Sequence, residues 1–228
     1  MTKIVCFDYD GTLTVTAKGT SSWVRAWEKL GALDTDEKLF NMFYSGEINE
    51  HEWLSLIVQA WRDLGADRRL FSSLAKQSKL IKDISYVFKY IHDNGIKIYV
   101  LSAGIKNIID ENLAHLMPYI TEIQGYELLF DDDGIVNDCK FPRLMDNKHE
   151  TLMEIMEKEN VSPEEILFVG NGKSDDTVYL SGVRTLCLNP DDADIQDQNK
   201  WQNVIESDSL KTILSFLDIN AENKLKLF

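Results

Sequence analysis

Residues 4–14, IVCFDYDGTLT, decide how the rest of the chain is read. Ile4, Val5, Cys6 and Phe7 make an uncharged, β-prone run, the composition of a central parallel strand covered on both faces. Asp8 and Asp10 follow with one residue between them, then Gly11 and Thr12. Open α/β sheets hold their ligands in the crevice past the carboxyl ends of such strands. Two neighbouring carboxylates repel, and each is pushed towards its neutral form unless a cation lies between them. The pair points either to a divalent metal or to two acids with separate roles. A strand closing in a plain Asp-Gly turn would carry the same letters.

The chain has 228 residues, 44% of them hydrophobic, which suits one large α/β domain or a core domain with a modest second unit. No run of 18 apolar residues occurs, so no membrane span is expected. MTKIVCFD enters a strand at once, which leaves no room for a targeting peptide and suggests a cytoplasmic protein. Cys6, Cys139 and Cys187 lie far apart and match no metal spacing, as reduced, mostly buried thiols would. Residues 16–80 hold nine basic and nine acidic side chains, so the whole net charge of −14 falls on the remainder. That acidity disfavours nucleic acid and anionic membranes as partners. It also sets residues 16–80 apart as a separate unit.

Between residues 20 and 76 the pattern is helical. Ser21 or Ser22 caps a helix with Trp23, Ala26, Trp27 and Leu30 on one face, closed by Gly31. Asp36 caps a second, with Leu39, Met42 and Phe43 inward. A third runs from about Asn49 to Leu64 with Trp53, Leu56, Ile57, Ala60, Trp61 and Leu64 on a stripe, and Asp67 starts a fourth. These make a small bundle whose Trp residues form its core rather than a stacking platform. After residue 80, helices alternate with strands at 4–7, 96–101, 166–169 and 183–188. The helices are expected near 82–93, 106–117, 148–159, from Ser174, and near 208–217. Residues 126–140 read as a hairpin turning at the Asp-Gly-containing DDDG of 131–134, which lacks the rest of a calcium loop. The fold class is therefore α/β: a doubly wound parallel sheet with a small inserted helical bundle.

Four polar segments sit beside strand ends or helix starts: FDYDGTLT at 7–14, LSAG at 101–104, NKHETL at 147–152 and VGNGKSDD at 169–176. In order, spacing and the helical stretch after the first, they resemble the haloacid dehalogenase-like hydrolase superfamily. Within it the chain is most similar to phosphoserine phosphatase-like enzymes with a helical cap, and YSGEINEHEW at 44–53 is similar to their cap sequences. The resemblance implies a Rossmann-like core domain of residues 1–15 and 81–228 and a cap domain of residues 16–80.

It also implies roles. Asp8 would be the nucleophile that forms an aspartyl-phosphate, and Asp10 the general acid and then base. Dehalogenase members lack that second acid. Thr12, Ser102, the Ala103 and Gly104 amides at a helix start, and Lys148 would hold the phosphoryl group. Mg2+ would be bound by the Asp8 carboxylate, the Asp10 main-chain carbonyl and Asn171, with Asp175 direct or through water. Two positions depart from the family's pattern. Asn171 stands where an Asp is usual, which should weaken metal binding. Ala17 stands nine residues after the nucleophile, where phosphoserine phosphatases carry a Glu for the substrate ammonium, which argues against phosphoserine itself. The expected activity is Mg2+-dependent hydrolysis of a small phosphorylated metabolite; a phosphotransferase or phosphomutase, or a phosphate-binding protein of weak activity, are the rival readings.

Overall fold

β1 (Ile4–Phe7) is buried at all its residues and occupies the middle of the sheet, with β2 (Lys97–Ile105) and β5 (Ile166–Gly170) parallel to it on either side. The computed structural model describes residues 1–17, 20–140, 142, 144, 145, 147–191 and 200–219. With β3 (Glu122–Phe130), β4 (Val136–Lys140), β6 (Arg184–Leu188) and β7 (Asn203–Ile205), the order across the seven-stranded sheet is β4-β3-β2-β1-β5-β6-β7. Only β3 and β4 pair antiparallel; they form the expected hairpin. Its turn is held by Asp131, whose carboxylate accepts from the Asp133 and Ile135 amides, and by Gly134 at φ 80°.

Alternation along β1 divides the core. Val5 and Phe7 join the larger apolar cluster, whereas Ile4 and Cys6 join a second on the opposite face. Helix α5 (Ile84–Asp93) covers the first face, with Phe88 stacked on Phe7 at 5.3 Å. Helix α7 (Lys148–Glu159) covers the second through Leu152 and Ile155. Cys6 and Cys187 are buried and Cys139 half-buried, all three as free thiols. Among the described residues no helix is long and apolar enough to cross a membrane.

Between β1 and β2 lie α1 (Ser22–Leu30), α2 (Leu33–Tyr44), α3 (Glu50–Asp63) and α4 (Arg68–Gln77). Three start at side-chain caps: Ser21, Asn49 with the reciprocal Glu52 bond of a capping box, and Asp67. Trp23, Trp27, Trp53, Trp61 and Phe71 interlock beneath them as core, with Trp23–Trp61 and Trp27–Trp61 ring centres 5.4 Å apart. Arg25 ties α1 to α4 through the Ser78 hydroxyl and the Leu74 carbonyl at 2.7 and 2.8 Å.

Several expectations are corrected. Asp36 does not cap α2: the helix begins earlier, after Ala32, and Asp36 falls in its first turn. Leu56 and Leu64 are exposed, because the buried stripe of α3 is Trp53, Leu54, Ile57 and Trp61 and Leu64 lies at the C-cap beyond the last turn. The 106–117 helix stops at Asn112 as α6 (Lys106–Asn112) and resumes as a 3-10 helix, Ala114–Tyr119, that contains Pro118. The segments after Ser174 and near 208–217 are short 3-10 turns, too brief for an α-helix to propagate. β7, a three-residue edge strand, had no strong signal. β2 continues past Leu101 to Ile105, because it keeps pairing with β3, Ile105 opposite Tyr126.

Candidate active site

Asp8 lies one residue beyond β1, and its amide donates to the Val169 carbonyl of β5 at 2.9 Å. β2 and β5 flank it, so Ser102 and Asn171 arrive from the neighbouring strands at the same end of the sheet. Asp8, Asp10, Ser102, Gly104 and Asn171 share one cavity of about 270 Å3. This is smaller than the ~300–1,000 Å3 common for drug-sized ligands, and suits a small metabolite.

The turn after Asp8 is dictated by its backbone. The Tyr9 carbonyl accepts from the amides of Thr12, Leu13 and Thr14, winding the chain tightly. Gly11 then takes φ 78°, where a Cβ would be strained and would lie 2.2 Å from Asn171 Nδ2. Gly104 and Gly170 leave room in the same way, since a Cβ would meet Asp10 Oδ2 at 2.7 Å or Asp175 Oδ2 at 2.4 Å.

Lys148, the first residue of α7, is 0% exposed. Its ammonium donates to Asp8 Oδ1 at 2.7 Å and Asp175 Oδ1 at 2.5 Å. A helix start disfavours a cation, and burial works against its charge; the Asp175 and Asp8 carboxylates outweigh both and raise its pKa. Burial also pushes Asp8 upwards, against the pull of Lys148 and with help from Asp175 and Asp10. Asp175 Oδ2 accepts the Asn171 and Gly172 amides at 3.0 and 3.3 Å. Both its oxygens are thus engaged, below the cavity rather than lining it.

Asp10 is held by a residue that sequence reasoning missed. The Ser22 amide and hydroxyl both donate to Asp10 Oδ2, at 2.9 and 2.7 Å, and the same hydroxyl accepts the Ile105 amide at 3.1 Å. Ser22 is fully buried; the Ser21-Ser22 pair was the signal, since only one of them is needed as a cap. Asp10 Oδ1 is buried with no hydrogen-bond partner among the described residues. Burial raises the Asp10 pKa, opposed by the Ser22 bonds.

Other expected site residues are placed differently from the expectation. The Thr12 hydroxyl donates to Asn171 Oδ1 at 3.3 Å and its amide to Tyr9, so its donors orient the turn rather than face the cavity. The Gly104 amide donates to Ser102 Oγ at 3.0 Å, and Ala103 and Gly104 belong to β2 rather than to the start of α6. Ala17 is exposed.

Among the described residues no group of three His, Cys, Asp or Glu side chains converges as a metal cage. The donor set nonetheless fits Mg2+: Asp8 and the Asn171 amide offer hard oxygens. Among the described residues, Asp8 and Asp175 share the Lys148 ammonium and Asp10 contacts no cation, an excess of negative charge in a buried site that a divalent cation offsets.

A family model, haloacid dehalogenase-like hydrolase, matches residues 2–177. The chain belongs to that family. Solved structures of similar fold include a phospho-aspartyl intermediate analogue of phosphoserine phosphatase, at 17% identity, TM-score 0.73, and coverage of 95% of this chain and 99% of that one. A HAD family hydrolase from Salmonella enterica serovar Typhi gives 15% identity and TM-score 0.76 over 92% of this chain and 69% of that one. A probable phosphoserine phosphatase from Vibrio cholerae gives 14% identity and TM-score 0.75 over 99% and 67%. Comparison with curated proteins finds no match. Identities this low establish the haloacid dehalogenase-like fold, not a substrate.

Proposed function

We propose that this haloacid dehalogenase-like hydrolase is a Mg2+-dependent phosphatase of small phosphate monoesters, working through an aspartyl-phosphate on Asp8. The observation that carries the reading is the pairing of two buried acids with different partners. Asp8 bonds the Lys148 ammonium at 2.7 Å, a cation that opposes the upward push of burial on its pKa. Asp10 accepts only from the neutral donors of Ser22, and among the described residues its Oδ1 has no partner. The charged contact favours the anion that a nucleophile needs, and the lack of one at Asp10 favours the protonated acid that a leaving oxygen needs.

Asp8 attacks phosphorus as the bond to the leaving oxygen breaks, and Asp10 gives that oxygen its proton. Water then attacks the aspartyl-phosphate, losing its proton to Asp10, and inorganic phosphate leaves with the Asp8 carboxylate restored. In this scheme the Ser102 hydroxyl, which lines the cavity, would donate to the transferred group, and Lys148, buried behind Asp8, would offset its charge through that carboxylate. Mg2+, when bound, would draw charge from the phosphoryl oxygens; Asp8, Asn171 and the Asp10 main-chain carbonyl would hold it, with Asp175 fixing Lys148 and the Asn171 backbone from below. Residues 16–80 would act as a cap that excludes water during transfer.

Hydrolysis of an aryl phosphate with and without Mg2+, run beside Asp8→Asn, tests this. Metal-dependent turnover lost in the variant is expected. Turnover no higher than the Asp8→Asn background would favour instead a phosphate-binding protein, the reading that Asn171 supports.

A further inference from the structure

Above Asp8 and Asp10 the cavity is walled by one face of α2. Asp36, Phe40 and Tyr44 are spaced four apart and so stand in line along the helix, and all three line the cavity together with Trp23 and Trp53. Phe40 and Tyr44 are 42% and 44% exposed although their rings stack 4.3 Å apart. Trp23 joins this wall to the floor, because its indole nitrogen donates to the Ala103 carbonyl at 2.7 Å.

The Asp36 carboxylate makes no hydrogen bond or ion pair among the described residues, and half-burial raises its pKa to about 6. No basic side chain lines the cavity among the described residues. The described arginines of the helical insertion that could have served are engaged elsewhere: Arg25 with Ser78, Arg62 with Asn137 at 2.9 Å, and Arg68 over the Phe130 ring at 4.4 Å. An ionised carboxylate without a partner beside aromatic faces is a site for an organic cation. The described walls present no cation to a substrate carboxylate, which would meet Asp8, Asp10 and Asp36.

We propose that the substrate is a phosphate monoester whose alcohol carries an ammonium group and no carboxylate, with Asp36 and the aromatic face of α2 receiving the cation. This rests on the phosphatase reading and names the leaving group for it. The phosphoryl end meets Asp8 at the sheet, and the ammonium end reaches the helical insertion. The aromatic walls favour an alkylated ammonium, which is weakly hydrated and lies well on ring faces.

The test compares phosphocholine with 3,3-dimethylbutyl phosphate, its uncharged carbon isostere, and with phosphoserine, at pH 8 on the full chain with Mg2+. Phosphocholine is expected to exceed both by tenfold or more in kcat/KM. In Asp36→Asn the ratio of phosphocholine to its isostere should fall to within about twofold of one. Equal use of the isostere, preference for phosphoserine, or a ratio that survives Asp36→Asn would overturn the inference. Calorimetric binding of the same pair to Asp8→Asn reads the cation site without turnover: tenfold tighter phosphocholine supports it, equal affinities overturn it. Absence of all turnover would sink the phosphatase reading, while hydrolysis without cation preference would sink only this inference.

Discussion

Replacing Lys148 by Met keeps the length and volume of the side chain but removes the one ammonium between Asp8 and Asp175. Both partners are nearly fully buried, at 3% and 2% exposure, and lose charge-assisted bonds of 2.7 and 2.5 Å. Breaking a buried pair from one side costs about 3–5 kcal/mol, because the remaining charge has no compensation. Against a typical domain stability of about 5–15 kcal/mol, that is a large fraction. The pH dependence follows from the sign of the shifts. In Lys148→Met, burial and the neighbouring acids raise the folded pKa of Asp8 above the unfolded value of about 3.9, and the ammonium that opposed them is gone. At Asp8 the folded state then binds more protons than the unfolded state, so stability falls as pH rises through the raised value. The deficit should be small near pH 4 and reach its full size by pH 8. Urea unfolding followed by Trp fluorescence, in metal-free buffer at both pH values, measures it. Adding Asp8→Asn to Lys148→Met should recover part of the loss in a double-mutant cycle. A deficit under about 1 kcal/mol at pH 8, or one that does not change with pH, would refute the description of Lys148 as the charge that holds the two acids.

Ser22→Ala should cost about 1–3 kcal/mol by leaving the Ile105 amide unsatisfied. By removing a donor to Asp10 it should also move the alkaline limb of the kcat/KM profile to higher pH, since that bond favours the ionised carboxylate. Gly11→Ala forces a Cβ into the left-handed region and to 2.2 Å from Asn171 Nδ2, so it should lose about 1–2 kcal/mol in chemical denaturation and weaken Mg2+ binding by calorimetry. Asn171→Asp adds a carboxylate to a site already rich in them; the metal-free protein should melt lower, and Mg2+ should bind more tightly and raise the melting point more than in the parent. Equal or weaker Mg2+ affinity in that variant would count against Asn171 as a ligand.

What was legible in the sequence was what local chemistry fixes. The uncharged run before Asp8 announced β1 because a doubly covered strand tolerates no charge, and caps at Asn49 and Asp67 carried their own hydrogen-bond logic. Lys148 was legible through the family resemblance and not through local chemistry. A lysine at a helix start is locally at home in solvent, and its complete burial is created by Asp8 and Asp175, which lie 140 and 27 residues away in the chain. β2 ran past its expected end for a similar reason: Ser-Ala-Gly has little strand preference, and pairing with β3 overrides it. Asp36 was misread because acids are favoured both at the N-cap and in the first turn, so its letter could not distinguish the two positions.

That ambiguity hides the main consequence. An N-cap Asp36 would spend its carboxylate on backbone amides, whereas in the first turn of α2 it stands at the cavity wall without a partner among the described residues. Local propensity would have been satisfied by either placement. The tertiary arrangement leaves the carboxylate half-buried, with a pKa raised to about 6, which is a cost to the folded state at neutral pH. A fold retains such a cost most readily where a ligand repays it. Ala17, exposed and outside the cavity lining, offers no carboxylate of its own. On the proposed reading the ammonium is received by Asp36 from α2, so the acid that selects the leaving group comes from the helix wall rather than from the segment that follows Asp10.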